Sequence, residues 1–373
     1  MRHRPAAALL LAAVTALFVG QAAGAHAAHG SRDAVFVQTN EIGGNRILVY
    51  DRSKDGTLAP AGSYATGGLG GAAAPGAESD HLASQGSLVY DREHGLLFAV
   101  NAGSDSVSTF RVDGDTLSLA NVMPSGGQFP ASMAVHHDLV YVLDAGGAGT
   151  VQGFRIGAGG LTPIPGATRA LGLANTNPPN FLMSPGQVGF TPDGSELVVT
   201  TKASTSSIDV FRVELNGTLS STFVANPSAT PVPFAFTFAR GRLVSGEAGA
   251  SSVTTYRLDR DGTIADPKSA SDGQVALCWI QRVGRFFFVS NTGSNTISSF
   301  TIEGGQPALV SPVAATTAPG TIDLTSPHGT RFLYAETGTT GTVDEFAVNA
   351  DGSLTQLGTI TGLPPGLEGI ASS

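Results

Sequence analysis

Four side chains in this sequence carry the functional groups that hydrolysis of an ester requires. The imidazole of His81 or the carboxylate of Glu247 could take a proton from an attacking water molecule. Lys202 and Gln187 could donate hydrogen bonds to the oxyanion that develops on the attacked carbonyl. The small neighbours of Glu247 in SGEAG predict that this carboxylate is accessible. We therefore treat these four residues as candidate catalytic residues.

A second group of polar residues could bind a substrate around them. Most of these residues precede a repeated aromatic position by nine or ten residues, where a turn is predicted. Asn, Asp and Glu also satisfy turns through their own hydrogen bonds, so a purely structural role remains an alternative. The candidates for substrate binding are Glu41, Gln85, Asn101, Asp144, Asn291 and Glu336.

No cofactor is expected from the sequence, although a calcium ion is an open alternative. Calcium prefers hard oxygen ligands, and side chains with such oxygens recur at comparable positions of the repeat. No local metal-binding motif accompanies them in the sequence. The side chains that could form this site are Glu41, Asn101, Glu247 and Asn291.

The repeat that must position these residues is clearest between Ser84 and Leu119. Three short apolar runs there are separated by turns rich in Gly, Asp and Ser, which predicts antiparallel hairpins. An aromatic residue recurs along the chain, and four of the six separations between its copies are 44–46 residues. That period is typical of four-stranded propeller blades. The recurring aromatics are Tyr50, Phe110, Phe154, Phe211, Tyr256, Phe300 and Phe346.

The composition agrees with an all-β propeller of seven blades. The chain of 373 residues contains 49 Gly, and no sustained helical periodicity follows its N-terminus. The first unit lacks an innermost strand before Ala34, while residues 367–371 form a spare strand at the C-terminus. We predict that this last segment completes the first blade and closes the ring, because closure removes both free sheet edges.

Two insertions interrupt the repeat, at residues 67–80 and 171–183. Each precedes the first strand of a unit, so both should emerge on the same face of the disc, and long loops of this kind often carry function. The turns between first and second strands belong to the opposite face. Four histidines fall in those turns, and we predict that they are solvated turn residues. They are His94, His136, His137 and His328.

The N-terminal pattern is that of a secretory signal. Arg2 and Arg4 precede an apolar run at 6–19, and small residues follow at 25–27. We predict that residues 1–27 are removed and that residues 28–373 form one domain, secreted or periplasmic, without a membrane anchor. The net charge of −9 disfavours nucleic-acid binding. The single cysteine, Cys278, excludes an internal disulfide.

Four segments carry a resemblance to a known family: VNAGSDSVSTFRV (100–112), SPGQVGFTPDGSELVV (184–199), VSNTGSNTISSFTI (289–302) and SPHGTRFLYAETG (326–338). The chain from about residue 34 to its end resembles the lactonase-like seven-bladed propellers, which include a bacterial 6-phosphogluconolactonase and fungal carboxymuconate-lactonising enzymes. The resemblance implies chemistry on a small lactone at the mouth of the central channel. Phosphorylated or polycarboxylate substrates call for Arg or Lys in the pocket. Only Lys202 is expected on the functional face, which favours a neutral lactone or another uncharged ester.

Two functions from different classes remain open. The first is an exported lactonase-like hydrolase or lactonising isomerase. The second is a non-enzymatic secreted propeller that binds a carbohydrate, peptide or protein partner on the same face, since a fold alone does not fix function. Convergence of His81 and the candidate carboxylates in one pocket would favour the enzyme, and a scattered, solvated ring would favour binding. Ring closure leaves no open sheet edge, so we expect a monomer.

Overall fold

The computed structural model describes residues 33–74 and 77–373, which fold as a seven-bladed propeller of antiparallel sheets. The predicted signal segment at residues 1–27 lies outside the described residues. Short runs rich in Val, Ile, Phe and Thr form the strands, and Gly, Asp and Asn form the turns between them. The all-β, seven-bladed architecture predicted from the repeat is confirmed.

The first four blades use the following strands. Blade 1 contains β1 (Ala34–Gln38), β2 (Arg46–Arg52) and β3 (Leu58–Ala65); blade 2 contains β4 (Leu88–Asp91), β5 (Leu96–Asn101), β6 (Ser106–Asp113) and β7 (Thr116–Pro124). Blade 3 contains β8 (Pro130–His136), β9 (Leu139–Asp144), β10 (Thr150–Gly157), β11 (Gly160–Pro163) and the short β12 (Arg169–Ala170). Blade 4 contains β13 (Gln187–Phe190), β14 (Glu196–Thr200), β15 (Ser207–Arg212) and β16 (Val224–Pro227).

The remaining strands complete the ring. Blade 5 contains β17 (Pro233–Ala239), β18 (Arg242–Glu247), β19 (Ser252–Leu258) and β20 (Ile264–Ser271). Blade 6 contains β21 (Leu277–Val283), β22 (Phe286–Asn291), β23 (Thr296–Glu303) and β24 (Gln306–Thr316). Blade 7 contains β25 (Thr321–Thr325), β26 (Phe332–Thr337), β27 (Thr342–Val348) and β28 (Leu354–Ile360), and the last strand is β29 (Ile370–Ser372).

Strand β29 is the innermost strand of blade 1. It pairs antiparallel with β1, with Val37 opposite Ile370 and Val35 opposite Ser372. The innermost strands of neighbouring blades contact one another in an unbroken circle. The predicted closure of the ring by the C-terminus is therefore confirmed, although the paired strand begins at Ile370, later than the sequence suggests.

The recurring aromatics occupy the third strand of each blade. All seven are at most 4% exposed, and the burial of one such ring stabilises the fold by about 1.5–3 kcal/mol. In five of the seven blades, a glycine six positions later makes the next turn. Gly352, for example, has φ +87°, and a Cβ there would lie 2.7 Å from Phe286 Cε1 in the neighbouring blade. Glycine is thus required both by the turn and by the packing of adjacent blades.

Only two helical turns occur in the described part of the chain. They are a 3₁₀ turn at Ala102–Ser104 and a helix, α1, at Lys202–Thr205. Both lie between the second and third strands of a blade. No helix among the described residues is long and apolar enough to cross a membrane.

Candidate functional site in the central channel

The two insertions meet at one end of the channel, which we call the insertion face. The backbone N–H of Ala74 in the first insertion donates to the carbonyl of Pro179 in the second at 2.9 Å. The second insertion also accepts a bond at Thr176 O from Gly147 N, at 2.8 Å, in a turn of blade 3. Both insertions lie on the same face, as predicted, and together they cover it.

Residues 80–86, which we call the plug, cross the channel beneath these insertions. Trp279 Nε1, on the innermost strand of blade 6, donates to Ser84 O at 3.0 Å. The side-chain amide of Gln85 accepts from Ile280 N at 3.1 Å and donates to Ile280 O at 3.2 Å. Blades 2 and 6 are not neighbours, so these bonds span the channel. The insertion end of the channel is therefore sealed.

Glu368, just before the closing strand, holds the plug from the side of blade 1. Its carboxylate oxygens accept from Leu82 N at 2.6 Å and from Ser84 N at 3.3 Å. The Asp80 and Glu368 side chains also hydrogen-bond to each other. Burial raises the pKa of Asp80 and, with the neighbouring Asp80 charge, raises the pKa of Glu368 well above its usual range. One proton shared by the two carboxyls explains how both are tolerated in the interior.

Lys202 ties the plug from the side of blade 4. Its side chain is 1% exposed, and Nζ donates to Ala83 O at 2.5 Å and to Phe181 O at 2.6 Å. Nζ also lies 5.0 Å from the centre of the Phe234 ring. Burial lowers the pKa of this ammonium to about 8. The predicted oxyanion donor therefore has its hydrogens directed at backbone carbonyls of the plug and of the second insertion.

His81 lies at the start of the plug and is half-buried. Its ring packs directly on the backbone of Gly366, where a Cβ would overlap the imidazole. Nδ1 has no hydrogen-bond partner among the described residues, and burial lowers the pKa of the imidazole. A neutral, unpartnered imidazole has the chemistry of a base, but its Nδ1 is buried at the sealed end of the channel.

Glu247 is not accessible, so that expectation from its small neighbours is wrong. The side chain is 0% exposed and accepts from Ser228 Oγ and Thr254 Oγ1, each at 2.6 Å. The hydroxyls of Thr230 and Tyr256 also donate to it. The small neighbours of Glu247 leave space around its carboxylate, and these four hydroxyl groups occupy that space. The carboxylate organises the loop between blades 4 and 5.

The candidate binding asparagines are also buried in their own turns. Asn101 Nδ2 donates to Ser108 Oγ at 2.8 Å, while its Oδ1 accepts from Asn45 Nδ2 at 3.0 Å. Asn291 Nδ2 donates to Ser298 Oγ at 2.8 Å, the equivalent bond in blade 6. Both side chains are 0% exposed. The shared geometry is that of a turn, which is the structural alternative raised by their residue type.

The remaining candidates of this group differ in exposure. Asp144 is fully buried with a hydrogen bond to Ser125, and burial raises its pKa to about 7. Glu336 is fully buried, and its Oε2 accepts from Gly369 N at 2.9 Å. Glu41, in contrast, is exposed on the surface. The predicted ring is therefore neither a common pocket nor a solvated surface.

Gln187 and the residues considered for calcium also have local partners. The Oε1 of Gln187 accepts from Phe236 N at 2.6 Å, which ties blade 4 to blade 5. Of the four oxygen ligands considered for calcium, three are buried and Glu41 is exposed. Within the described ranges, no group of three or more His, Cys, Asp or Glu side chains is arranged to hold a metal ion.

The opposite end of the channel is open and contains a cavity of about 330 Å³. Innermost strands of blades 1, 2, 6 and 7 form its walls, and Gln85 and Gly86 of the plug form its floor. Gln85, a predicted binding residue, therefore does contribute to a cavity, but from below. We call this space the channel cavity.

Asp323 is the carboxyl in the wall of the channel cavity. It lies on the innermost strand of blade 7, is 3% exposed, and its Oδ1 accepts from Leu324 N at 2.9 Å. Burial raises the pKa of this carboxyl to about 7. The rim of the cavity adds Tyr90, Arg92 and His328, which can donate hydrogen bonds. A base poised near neutrality thus faces a small polar space.

Sequence reasoning missed Asp323 because it considered turns and loop ends. The signal was present in TIDLT at 321–325, where a carboxyl interrupts the apolar residues of a first strand. First strands line the channel. The turn after the second strand begins one strand farther out, and neighbouring strands in a sheet are about 4.8 Å apart. His328, predicted to be a solvated turn residue, is exposed on the opposite face as expected, yet it also lines this cavity.

Comparison with known proteins agrees with this architecture. A family model described as lactonase, 7-bladed beta-propeller, matches residues 71–367. The periplasmic gluconolactonase of Pseudomonas aeruginosa superposes with a TM-score of 0.71 at 16% identity, over 92% of this chain and 99% of that one. A candidate 6-phosphogluconolactonase of Bacteroides fragilis superposes with a TM-score of 0.70 at 18% identity, over 93% and 99%. No curated protein gives a significant match. At these identities, the structural likeness shows the fold.

Proposed function

Because this chain belongs to the seven-bladed β-propeller lactonase family, we propose that it hydrolyses a small lactone in the channel cavity. The observation that carries the proposal is the position of Asp323, which is the one acidic residue among the described residues lining that cavity. The volume of about 330 Å³ suits a single small ring. Family membership supports a lactone as the class of substrate.

The chemistry follows from the groups in the cavity. Asp323 in its carboxylate form takes a proton from water, and the water oxygen attacks the lactone carbonyl carbon. Arg92 and the Tyr90 hydroxyl donate hydrogen bonds to the oxyanion of the tetrahedral intermediate. As the intermediate collapses, the ring C–O bond breaks and the departing alkoxide takes the proton back from Asp323. The product is a hydroxy acid, and the carboxylate is regenerated.

The proposed base determines the pH dependence. Only the carboxylate form of Asp323 can accept the proton, and burial raises its pKa to about 7. We therefore expect kcat/KM to rise with pH through about 7 and then to level off. His81, which the sequence favours as the base, would give a similar profile only if its imidazole titrated in the same range, so the profile must be read together with variants.

Two further expectations belong to this proposal: the substrate is a neutral lactone, and the protein acts outside the cytoplasm. Arg92 is the one guanidinium among the described residues of the channel cavity, which supports a neutral lactone over one with several charges. The apolar run behind Arg2 and Arg4 supports action outside the cytoplasm. Both follow from residues of this chain.

The test is hydrolysis of a panel of neutral and carboxylated γ- and δ-lactones by the purified protein. Asp323→Asn should lower kcat/KM by at least about 100-fold, the usual effect of losing a general base. Asp209→Asn is the matched control, because Asp209 is also buried, with its pKa raised to about 6, but lies on β15 away from the channel. Equal activity of both folded variants, or no turnover of any lactone by the wild type, would overturn the proposal.

A further inference from the structure

The open face carries a second and larger cavity, between blades 6 and 7. Its volume is about 910 Å³, and Arg282, Arg285 and Arg331 line it together with His328 and Asn349. We call it the arginine groove. No acidic residue lines it in the described part of the chain. Three guanidinium groups without a carboxylate are unexpected in a protein of net charge −9.

None of the three arginines has an ion pair within the described residues, whereas several arginines elsewhere do. Arg52 pairs with Asp33, and Arg242 pairs with Asp266. Uncompensated guanidinium groups that face a common cavity repel one another, and a negatively charged ligand relieves that repulsion. Since no protein carboxylate lines the described part of the groove, an anionic ligand would complement its positive charge.

Two of the guanidinium groups are held in place by the protein. Arg285 Nη2 donates to Ala350 O at 3.0 Å across the boundary between the blades, and its guanidinium lies 4.7 Å from the centre of the Phe286 ring. Arg282 Nε donates to Gly284 O at 3.0 Å, and its guanidinium lies over the Phe287 ring. A guanidinium has five donor hydrogens, so each retains donors for a ligand while its position is fixed.

The basic surface continues past the groove onto blade 5. A depression of about 370 Å³ shares Arg282 and Arg285 with the groove and adds Arg240, beside one carboxylate, Glu303. Four guanidinium groups are thus spread over three blades along one rim. This spread over three blades suits an extended chain that carries repeated negative charges.

The uncharged residues between the arginines indicate the kind of chain. Gln281, Thr330 and Asn349 donate hydrogen bonds within the protein, but their amide and hydroxyl oxygens can still accept from sugar hydroxyls. The aromatic rings beneath the arginines are buried, since Phe286 is 6% and Phe287 2% exposed. They offer no face for stacking nucleic-acid bases. We propose that the arginine groove binds a short acidic oligosaccharide, a chain of sugar units that carry carboxylates.

This site is distinct from the proposed lactone chemistry and does not depend on it. The groove and the channel cavity share Gln281, Ser326 and His328 at their border. The arginines themselves line the groove and are not among the lining residues of the channel cavity. A protein that hydrolyses no lactone could still bind an acidic oligosaccharide here.

The test is isothermal titration calorimetry of the purified protein with tetragalacturonate. Maltotetraose, a neutral chain of equal length, is the control ligand. We expect saturable binding of tetragalacturonate that weakens as salt is raised, because ionic contacts are screened, and no binding of maltotetraose. Arg282→Gln with Arg285→Gln should weaken binding by at least about tenfold, and Arg331→Gln by roughly threefold to tenfold. Arg260→Gln, an exposed arginine outside the groove, should leave the affinity unchanged.

Several results would overturn the inference. These are no binding of tetragalacturonate, equal binding of maltotetraose, or an equal effect of Arg260→Gln. Citrate or inorganic phosphate that binds as tightly would show a small-anion site instead, and tighter binding of a short DNA or of a poly-glutamate peptide would show a different class of partner. All variants change exposed side chains, so circular dichroism should confirm that each is folded.

Discussion

The two ends of the channel are built from the same repeat and both bury carboxyl groups, yet they differ in whether those carboxyls line a cavity. At the insertion face, Asp80, Lys202 and Glu368 are buried and bonded to the plug or to one another. At the open face, Asp323 is equally buried but lines a cavity of about 330 Å³. Burial and charge therefore do not distinguish a structural carboxyl from a candidate base. Access to a cavity does.

A closer comparison of Glu368 and Asp323 makes the same point. Burial raises the pKa of both carboxyls. Glu368 accepts from two plug amides and shares a hydrogen bond with Asp80, so its oxygens are occupied. Asp323 also accepts from backbone amides, those of Leu324 and Ile370, but it is a lining residue of the channel cavity. A shifted pKa becomes a functional signal only together with such geometry.

Removal of residues 367–373 should have the largest effect, because this segment serves both ends. It supplies Glu368 to the plug and Ile370 to the cavity wall, and it buries Leu367 and Ile370. We expect the free energy of unfolding to fall by more than about 5 kcal/mol, since two large apolar side chains and a ring-closing strand are lost. Urea denaturation measures this, with Leu215→Ala, a fully exposed leucine, as the control. A truncated protein as stable as wild type would refute closure by β29.

The pH dependence of stability should come next in size. The folded pKa of Asp323 is raised to about 7 from 3.8, so between these values the folded state holds a proton that the unfolded state has released. The contribution of this carboxyl to stability therefore falls as pH rises from 4 to 7, by up to about 4 kcal/mol. Asp323→Asn lacks that loss, so its stability relative to wild type should increase over the same window. Denaturation at several pH values tests this, and a constant difference would contradict it.

Lys202→Met should destabilise the sealed end by about 1–3 kcal/mol. The substitution keeps an unbranched side chain one atom shorter than lysine but leaves Ala83 O and Phe181 O without their donor. Thermal denaturation of this variant beside Lys54→Met, which removes an exposed lysine, provides the measurement. If both variants melt alike, the ammonium does not hold the plug.

Glu41→Ala should have the smallest effect. Its side chain is exposed, and substitutions at such positions usually change stability by less than about 0.5 kcal/mol. Lactone turnover should also be unchanged, because Glu41 lies at the sealed end. A large loss of turnover in this variant would show that substrate does reach the insertion face.

The fold could be predicted from the sequence because its determinants are local and repeated. The aromatic recurs in every blade and the glycine after it in five of them, while the spare C-terminal strand encodes the one pairing that closes the ring. The site could not be predicted in the same way. The turn positions singled out Asn101 and Glu247 as candidates. That the insertions cover this face depends on tertiary contacts, which the local sequence does not reveal. Asp323 stands in a strand, where its residue type alone does not reveal a cavity.

The most direct test of this account compares one base from each end on a lactone that the wild type hydrolyses. The measurement is kcat/KM for Asp323→Asn and His81→Ala, each shown to be folded. We predict a loss of at least about 100-fold for Asp323→Asn and less than about fivefold for His81→Ala. The opposite result, with activity lost in His81→Ala and kept in Asp323→Asn, would place the chemistry at the insertion face and contradict the account.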